Sequence, residues 1–181
     1  MSITGQPEDI PGGGPQRVGV AISDITTGLY ATIGILAALH HRSRSGEGQY
    51  IDLALLDTQV GWLANQASNY LTGGVLPGLT GKWHPNLAPY QPFRTADGNL
   101  ILAVGNDSQF ANLVRFIGRQ ELSEDERFST NPHRNANRVE LETELQAEFE
   151  TKPTGYWLEH LPREGVPVSA INNIAEVFEM P

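Results

Sequence analysis

The segment RVGVAISDITTGLYATIGILAALHHRSRSGEGQYIDLALLD, Arg17 to Asp57, decides how this chain is read. It sets one carboxylate, Asp24, ahead of an apolar run whose spacing predicts a helix over about 25–41, apolar on nearly every side. Such a helix needs a sheet or a partner to cover it. Ser23-Asp24 before an apolar run is also the ordinary composition of a helix cap. Backbone N–H groups at a helix start attract an anion, so the same position suits a nucleophile aimed at an electrophilic carbonyl. Spacing alone leaves both roles open.

Working outward, Arg42, Arg44 and Gly46 supply a basic last turn and a stop. Gln49 to Leu55 then alternates as a strand, with Ile51, Leu53 and Leu55 on one face. A second helix is expected over roughly 57–71, ending at Thr72-Gly73-Gly74, and Leu76, Pro77 and Gly78 extend the break. The domain boundary is placed there. On the other side, Gly12-Gly13-Gly14 neither follows a strand nor opens a helix as a phosphate loop must, and reads as a flexible linker.

Past the boundary, Tyr90 to Thr95 and Asn99 to Val104 flank Ala96-Asp97-Gly98, the turn signal of a β-hairpin. Asn106, Asp107 and Ser108 offer cap oxygens to a helix carrying Phe110, Leu113, Val114, Phe116 and Ile117 and stopped by Gly118. Val139, Leu141, Leu145 and Phe149 are spaced for one buried helical face, and Tyr156, Trp157 and Leu161 for a shorter helix. Val166 to Val168 is expected as a further strand and Ile171 to Phe178 as a last helix opened by Asn172 or Asn173. Nothing in this half looks catalytic by itself.

A length of 181 residues suits one domain or two small pieces, and 39% hydrophobic with 18% charged residues is a globular composition. A net charge of −9, with no basic cluster larger than Arg42 and Arg44 beside His40 and His41, argues against nucleic acid. Absence of cysteine excludes disulfides, thiolate nucleophiles and Cys-ligated zinc. His40-His41, His133 and His160 lack metal-ligand spacing, so no metal is implied. No G-x-S-x-G elbow occurs. The amino terminus has no signal pattern, and the apolar run from Ile33 to Leu39 is shorter than a membrane span. These features read as a soluble, cytoplasmic protein with no membrane partner.

The block around Asp24, together with MSITG, SGEGQYIDLALLD, HPNLAPYQPF, DGNLILAVGNDSQF and GVPVSAINNIAEVF, closely resembles the class III CoA-transferases, in the family's order. The resemblance is nearest to the branch acting on dicarboxylates. It implies an α/β fold: part of an open doubly wound large domain over 1–56 carrying the catalytic aspartate, a linker helix and loop over 57–78, and a small α+β domain with a short antiparallel sheet over 79–181. It further implies that Asp24 forms an anhydride with the acyl group and then a thioester with CoA, that coenzyme A enters as substrate with no other cofactor, and that two chains interlock as a homodimer. Both flanks of the family's longer chain look missing.

In the family a glycine-rich loop closes over the aspartyl intermediate, which places Gly81, His84 and Asn86 as substrate-binding residues. Of the expected glycine run only Gly81 is present, and His84 stands where a glutamine is expected. An isolated loop histidine is otherwise solvent-exposed and idle. Two rival readings stand beside the transferase. One is an α-methylacyl-CoA racemase, which uses its aspartate as a base, although its glycine-rich sequence after that residue differs from ITTGLYA. The other is a non-catalytic fragment lacking the CoA-binding half.

Overall fold

The computed structural model describes residues 2–180; Met1, the first residue of the MSITG motif, and Pro181 lie outside the described residues. The structure is mixed α/β with two small antiparallel sheets, and it divides into two compact units that meet in sequence at Gly81 and Lys82.

In the first unit, β1 (Gly5–Gln6) and β2 (Gly14–Pro15) pair antiparallel, Gly5 opposite Pro15 and Gln6 opposite Gly14. The glycine run expected as a linker is therefore the end of a hairpin. Gly13 donates its N–H to Ile10 O at 2.8 Å, and a Cβ there would lie 1.9 Å from Pro7 O, so close backbone approach demands glycine.

α1 (Ile22–Ser45) begins before and ends after the expected span, and stops where Gly46, at φ 78°, returns its N–H to Arg42 O. Its cap residue is Ala21, without a side-chain bond, so Asp24 sits inside the first turn and is not the cap. The cap reading of Ser23-Asp24 fails because Ile22 already takes helical geometry. Gly28, Thr32 and Gly34 interrupt the apolar run without interrupting the helix. Thr26, Thr27 and Thr32 return their hydroxyls to the carbonyls of Ile22, Ser23 and Gly28 at 2.7, 2.7 and 2.9 Å. By length and composition alone, all 24 residues of α1 reach the size of a membrane span, which the run from Ile33 to Leu39 does not. Thr26 is its buried residue, while Ile25, Leu29, Ile33 and Leu36 are each between 56% and 64% exposed.

The expected strand over 49–55 does not form. Residues 47–54 carry no regular secondary structure and are exposed, and among the described residues no strand lies beside them to complete a ladder. The expected single helix over 57–71 is two, α2 (Leu55–Gly61) and α3 (Ala64–Gly73), broken at Trp62-Leu63 with Ala64 at φ 45°. The Gly73-Gly74 stop is present, Gly74 taking φ 66° at the C-cap.

The second unit is built on a sheet ordered β3 (Tyr90–Arg94), β4 (Asn99–Ala103), β5 (Val168–Ala170), antiparallel throughout. Thr95 N–H donates to Gly98 O at 2.9 Å across the predicted turn, and Arg94 pairs with Asn99. β5 lies two residues later than Val166 to Val168 suggests, because Val166 is spent in the core. Between β4 and β5 run α4 (Asp107–Phe116), α5 (Glu121–Glu124), α6 (Asn131–Ala136), α7 (Arg138–Phe149) and α8 (Thr154–His160), with a 3₁₀ turn at Leu161–Glu164. Asn106 caps α4 by accepting from Gln109 N–H at 2.9 Å. α9 (Ile174–Glu179) opens on Asn173, whose side chain and that of Glu176 form a reciprocal capping box.

Phe93, Leu100 and Leu102 from the sheet meet Phe110, Leu113, Leu141, Leu145, Phe149 and Trp157 in a core where each is at most 3% exposed. Trp157 packs edge-on to Phe149 at 4.9 Å and donates its indole N–H to Phe149 O at 3.0 Å. Val139 departs from the expected stripe and is 58% exposed, because two residues carry it about 200° around the helix from Leu141.

Candidate functional site

Asp24 lines a cleft of about 610 Å³ in the first unit, formed by residues 2–4 and 16–18 on either side of the β1–β2 hairpin, the start of α1, and Gln59, Trp62 and Leu63 at and just after the end of α2. Its place in the first turn of a 24-residue helix follows from Ala21 taking the cap position. Ile22 N–H turns back to Val20 O at 2.9 Å and Ile25 N–H makes the first helical bond to Ala21 O. The N–H groups of Ser23 and Asp24, between them, have no acceptor among the described residues. Asp24 is exposed, and no hydrogen bond or ion pair engages its carboxylate among the described residues. An unengaged carboxylate beside open backbone donors has the equipment for attack on a carbonyl carbon and for holding the oxygen that becomes negative.

Two polar ties join α1 to α2 beside this carboxylate. Ser23 Oγ donates to Gln59 Oε1 at 2.5 Å, and the hydroxyls of Thr27 and Thr58 lie 2.7 Å apart. Thr26 and Thr58 are the buried residues of the unit. Arg17 and Trp62 also line the cleft. None of Ser23, Gln59, Arg17 or Trp62 stood out as a site residue in the sequence. A signal was present: Ser23 and Thr27 share one helical face at i, i+4, and the adjacent Thr58-Gln59 pair is polar within an apolar segment.

Of the residues expected to bind substrate, Gly81 belongs to this unit and His84 and Asn86 to the other. Gly81 takes φ 62° and donates its N–H to Gly5 O at 2.9 Å, fastening it to β1; a Cβ would come within 2.5 Å of Gln6 Oε1.

His84 is half-buried and not idle. Its Nδ1 accepts from the N–H groups of Asn86 and Leu87, both at 3.1 Å, and its ring stacks on Tyr90 with centroids 5.0 Å apart. Backbone N–H groups only donate, so Nδ1 carries no proton and the neutral ring is protonated on Nε2. Burial, with the Arg138 guanidinium nearby, pushes its pKa below the usual histidine value. One side of α6 and the start of α7 holds the same loop. Asn131 donates to Asn86 O, Asn135 to Pro85 O, and Arg138 to the carbonyls of His84 and Pro85. Arg134, fully buried, donates to Ala88 O at 2.8 Å, to Phe128 O at 3.0 Å and to Asp107 Oδ1 at 2.6 Å. Residues 84–88 are thus a hydrogen-bonded loop. Among the described residues no three histidine or carboxylate side chains gather as a metal site.

The model of CoA-transferase family III matches residues 1–181. The chain is 46% identical to a succinate–glutarate CoA-transferase of Agrobacterium fabrum over 181 residues, covering all of this chain and 44% of that protein. It is 40% identical to the human succinyl-CoA:glutarate CoA-transferase, again over its whole length and 40% of the relative. A crystal structure of a CAIB/BAIF family protein from Brucella suis superposes with a TM-score of 0.76 at 46% identity, over all of this chain and 47% of that one. The chain therefore spans less than half the length of these relatives, and it belongs to CoA-transferase family III.

Proposed function

We propose that the protein containing this chain moves CoA from an acyl-CoA to a free carboxylic acid, with Asp24 as the nucleophile. The observation that carries this reading is the exposed, unengaged Asp24 carboxylate in a cleft with the open N–H groups of Ser23 and Asp24. Asp24 Oδ attacks the thioester carbonyl; a C–O bond forms, the C–S bond breaks, and CoA leaves as thiolate. The thiolate then attacks Asp24 Cγ in the mixed anhydride, forming aspartyl-CoA and releasing the donor acid as carboxylate. The acceptor carboxylate reverses the two steps and takes CoA away. Each step passes through a tetrahedral oxyanion, which backbone donors at a helix start stabilise.

Relatives named for succinate with glutarate, and for succinyl-CoA with mesaconate, support a dicarboxylic acceptor. Gly81, His84 and Asn86 are proposed substrate-binding residues on a loop that excludes water from the anhydride. Placement of 1–56 in a doubly wound domain, and an interlocked cytoplasmic homodimer, complete the reading. The exposed apolar residues of α1 support such covering by further chain.

The test is exchange in the full-length protein, from succinyl-CoA to isotope-labelled glutarate. Labelled glutaryl-CoA is expected, with loss of about 10³-fold or more for Asp24→Asn. Deuterium exchange at the α-carbon without consumption of acceptor would overturn transfer in favour of racemisation.

A further inference from the structure

We infer that Gln59 is a catalytic residue: its side-chain amide, oriented by Ser23, donates to the Asp24 oxygen that becomes an oxyanion when CoA thiolate attacks Asp24 Cγ. The inference rests on the proposed use of Asp24 as nucleophile and adds a residue and a step to it.

Gln59 and Asp24 line the same cleft, on α2 and α1. Ser23, the immediate neighbour of Asp24, donates its hydroxyl to Gln59 Oε1 at 2.5 Å. With Ser23 Oγ donating to Oε1, Nε2 with its two hydrogens is the free end of the amide. No acceptor engages Nε2 among the described residues, although Gln59 is half-buried. Its helix does not need this bond for attachment, because the Thr27–Thr58 contact joins the same two helices one turn further along. An oriented amide donor with nothing to donate to, lining the same cleft as an unengaged carboxylate, matches what a developing oxyanion on that carboxyl carbon requires.

The bond changes are balanced without proton transfer. Thiolate sulfur bonds to Asp24 Cγ, the C=O electron pair moves onto the Asp24 carbonyl oxygen, and collapse of this oxyanion breaks the bond to the departing acid, which leaves as carboxylate. Gln59 lends a hydrogen bond that strengthens as the charge develops. The Ser23 side chain is a positioning group, acting only through Gln59.

Rapid mixing of full-length protein with succinyl-CoA alone, followed by acid quench and intact mass, follows the aspartyl-CoA adduct directly. Gln59→Leu is expected to slow its formation by about a hundredfold or more, with the KM for succinyl-CoA little changed. Ser23→Ala, which leaves the amide present but unoriented, is expected to slow it by about tenfold. Thr27→Val breaks the other helix tie and serves as the structural control, forming the adduct at the unaltered rate. Adduct formation by Gln59→Leu at the parent rate would overturn the inference, as would an equal loss in Thr27→Val. Adduct in an Asp24→Asn variant would instead overturn the role of Asp24 itself, so the two failures are distinct.

Discussion

Residues 82–180 bury Phe93, Leu100, Leu145 and Phe149 almost completely, whereas the buried residues within 2–81 are Thr26 and Thr58. The first of these regions carries an aromatic and aliphatic core between a sheet and helices. The second carries the candidate chemistry on a helix whose Leu29, Ile33 and Leu36 face outward. Full burial of such a side chain contributes roughly 1.5–3 kcal/mol, so α1 forgoes most of the stabilisation its sequence offers. The difference separates two kinds of apolar residue: those buried within their own unit, and those their unit leaves exposed. The contact of α1 with its neighbour α2 includes hydroxyls and an amide, and it borders the cleft.

Truncation breaks or sharpens this contrast most directly. Phe149→Ala should destabilise the chain by about 3–5 kcal/mol in urea unfolding, because it empties a site packed by Phe93 and Trp157. Leu36→Ala, at 61% exposure, should change the same midpoint by no more than about 0.5 kcal/mol. Equal losses would show that α1 is covered after all.

Next in size is Arg134→Met. It removes the buried guanidinium that serves the carbonyls of Ala88 and Phe128, and should cost about 3 kcal/mol. A near-neutral result would mean that the loop before β3 holds without its clamp.

The smallest effect is pH-dependent. Burial, then Arg138, lowers the His84 pKa from 6.5, so between the folded value and 6.5 the unfolded chain binds the proton more readily. Stability should be intact above 6.5 and fall as pH drops below it, as His84 takes up a proton and releases the two N–H groups. His84→Asn retains an acceptor without titrating, and should flatten that part of the stability profile.

The second unit was largely legible in sequence because its determinants are local. Ala96-Asp97-Gly98 marks its hairpin, Asn106 and Asn173 its caps, and Leu141, Leu145 and Phe149 its buried stripe. The first unit was less legible because its determinants are not. Alternation from Gln49 to Leu55 describes a strand only where another strand supplies hydrogen bonds. A glycine run looks like slack unless Pro7 O is known to approach Gly13. Asp24 is singled out by its setting and family pattern, but its place inside the helix required the geometry of Ala21. Gln59 drew no notice in the sequence, since the polar Thr58-Gln59 pair acquires meaning only from the serine and threonine that meet it.

Peptide mass spectrometry of full-length protein, incubated with succinyl-CoA and then hydroxylamine, tests the central claim most directly. The account expects hydroxamate on Asp24 and on no other carboxylate, because aspartyl anhydride and aspartyl-CoA both yield it there. An unmodified Asp24 in protein that is actively transferring CoA would contradict the account.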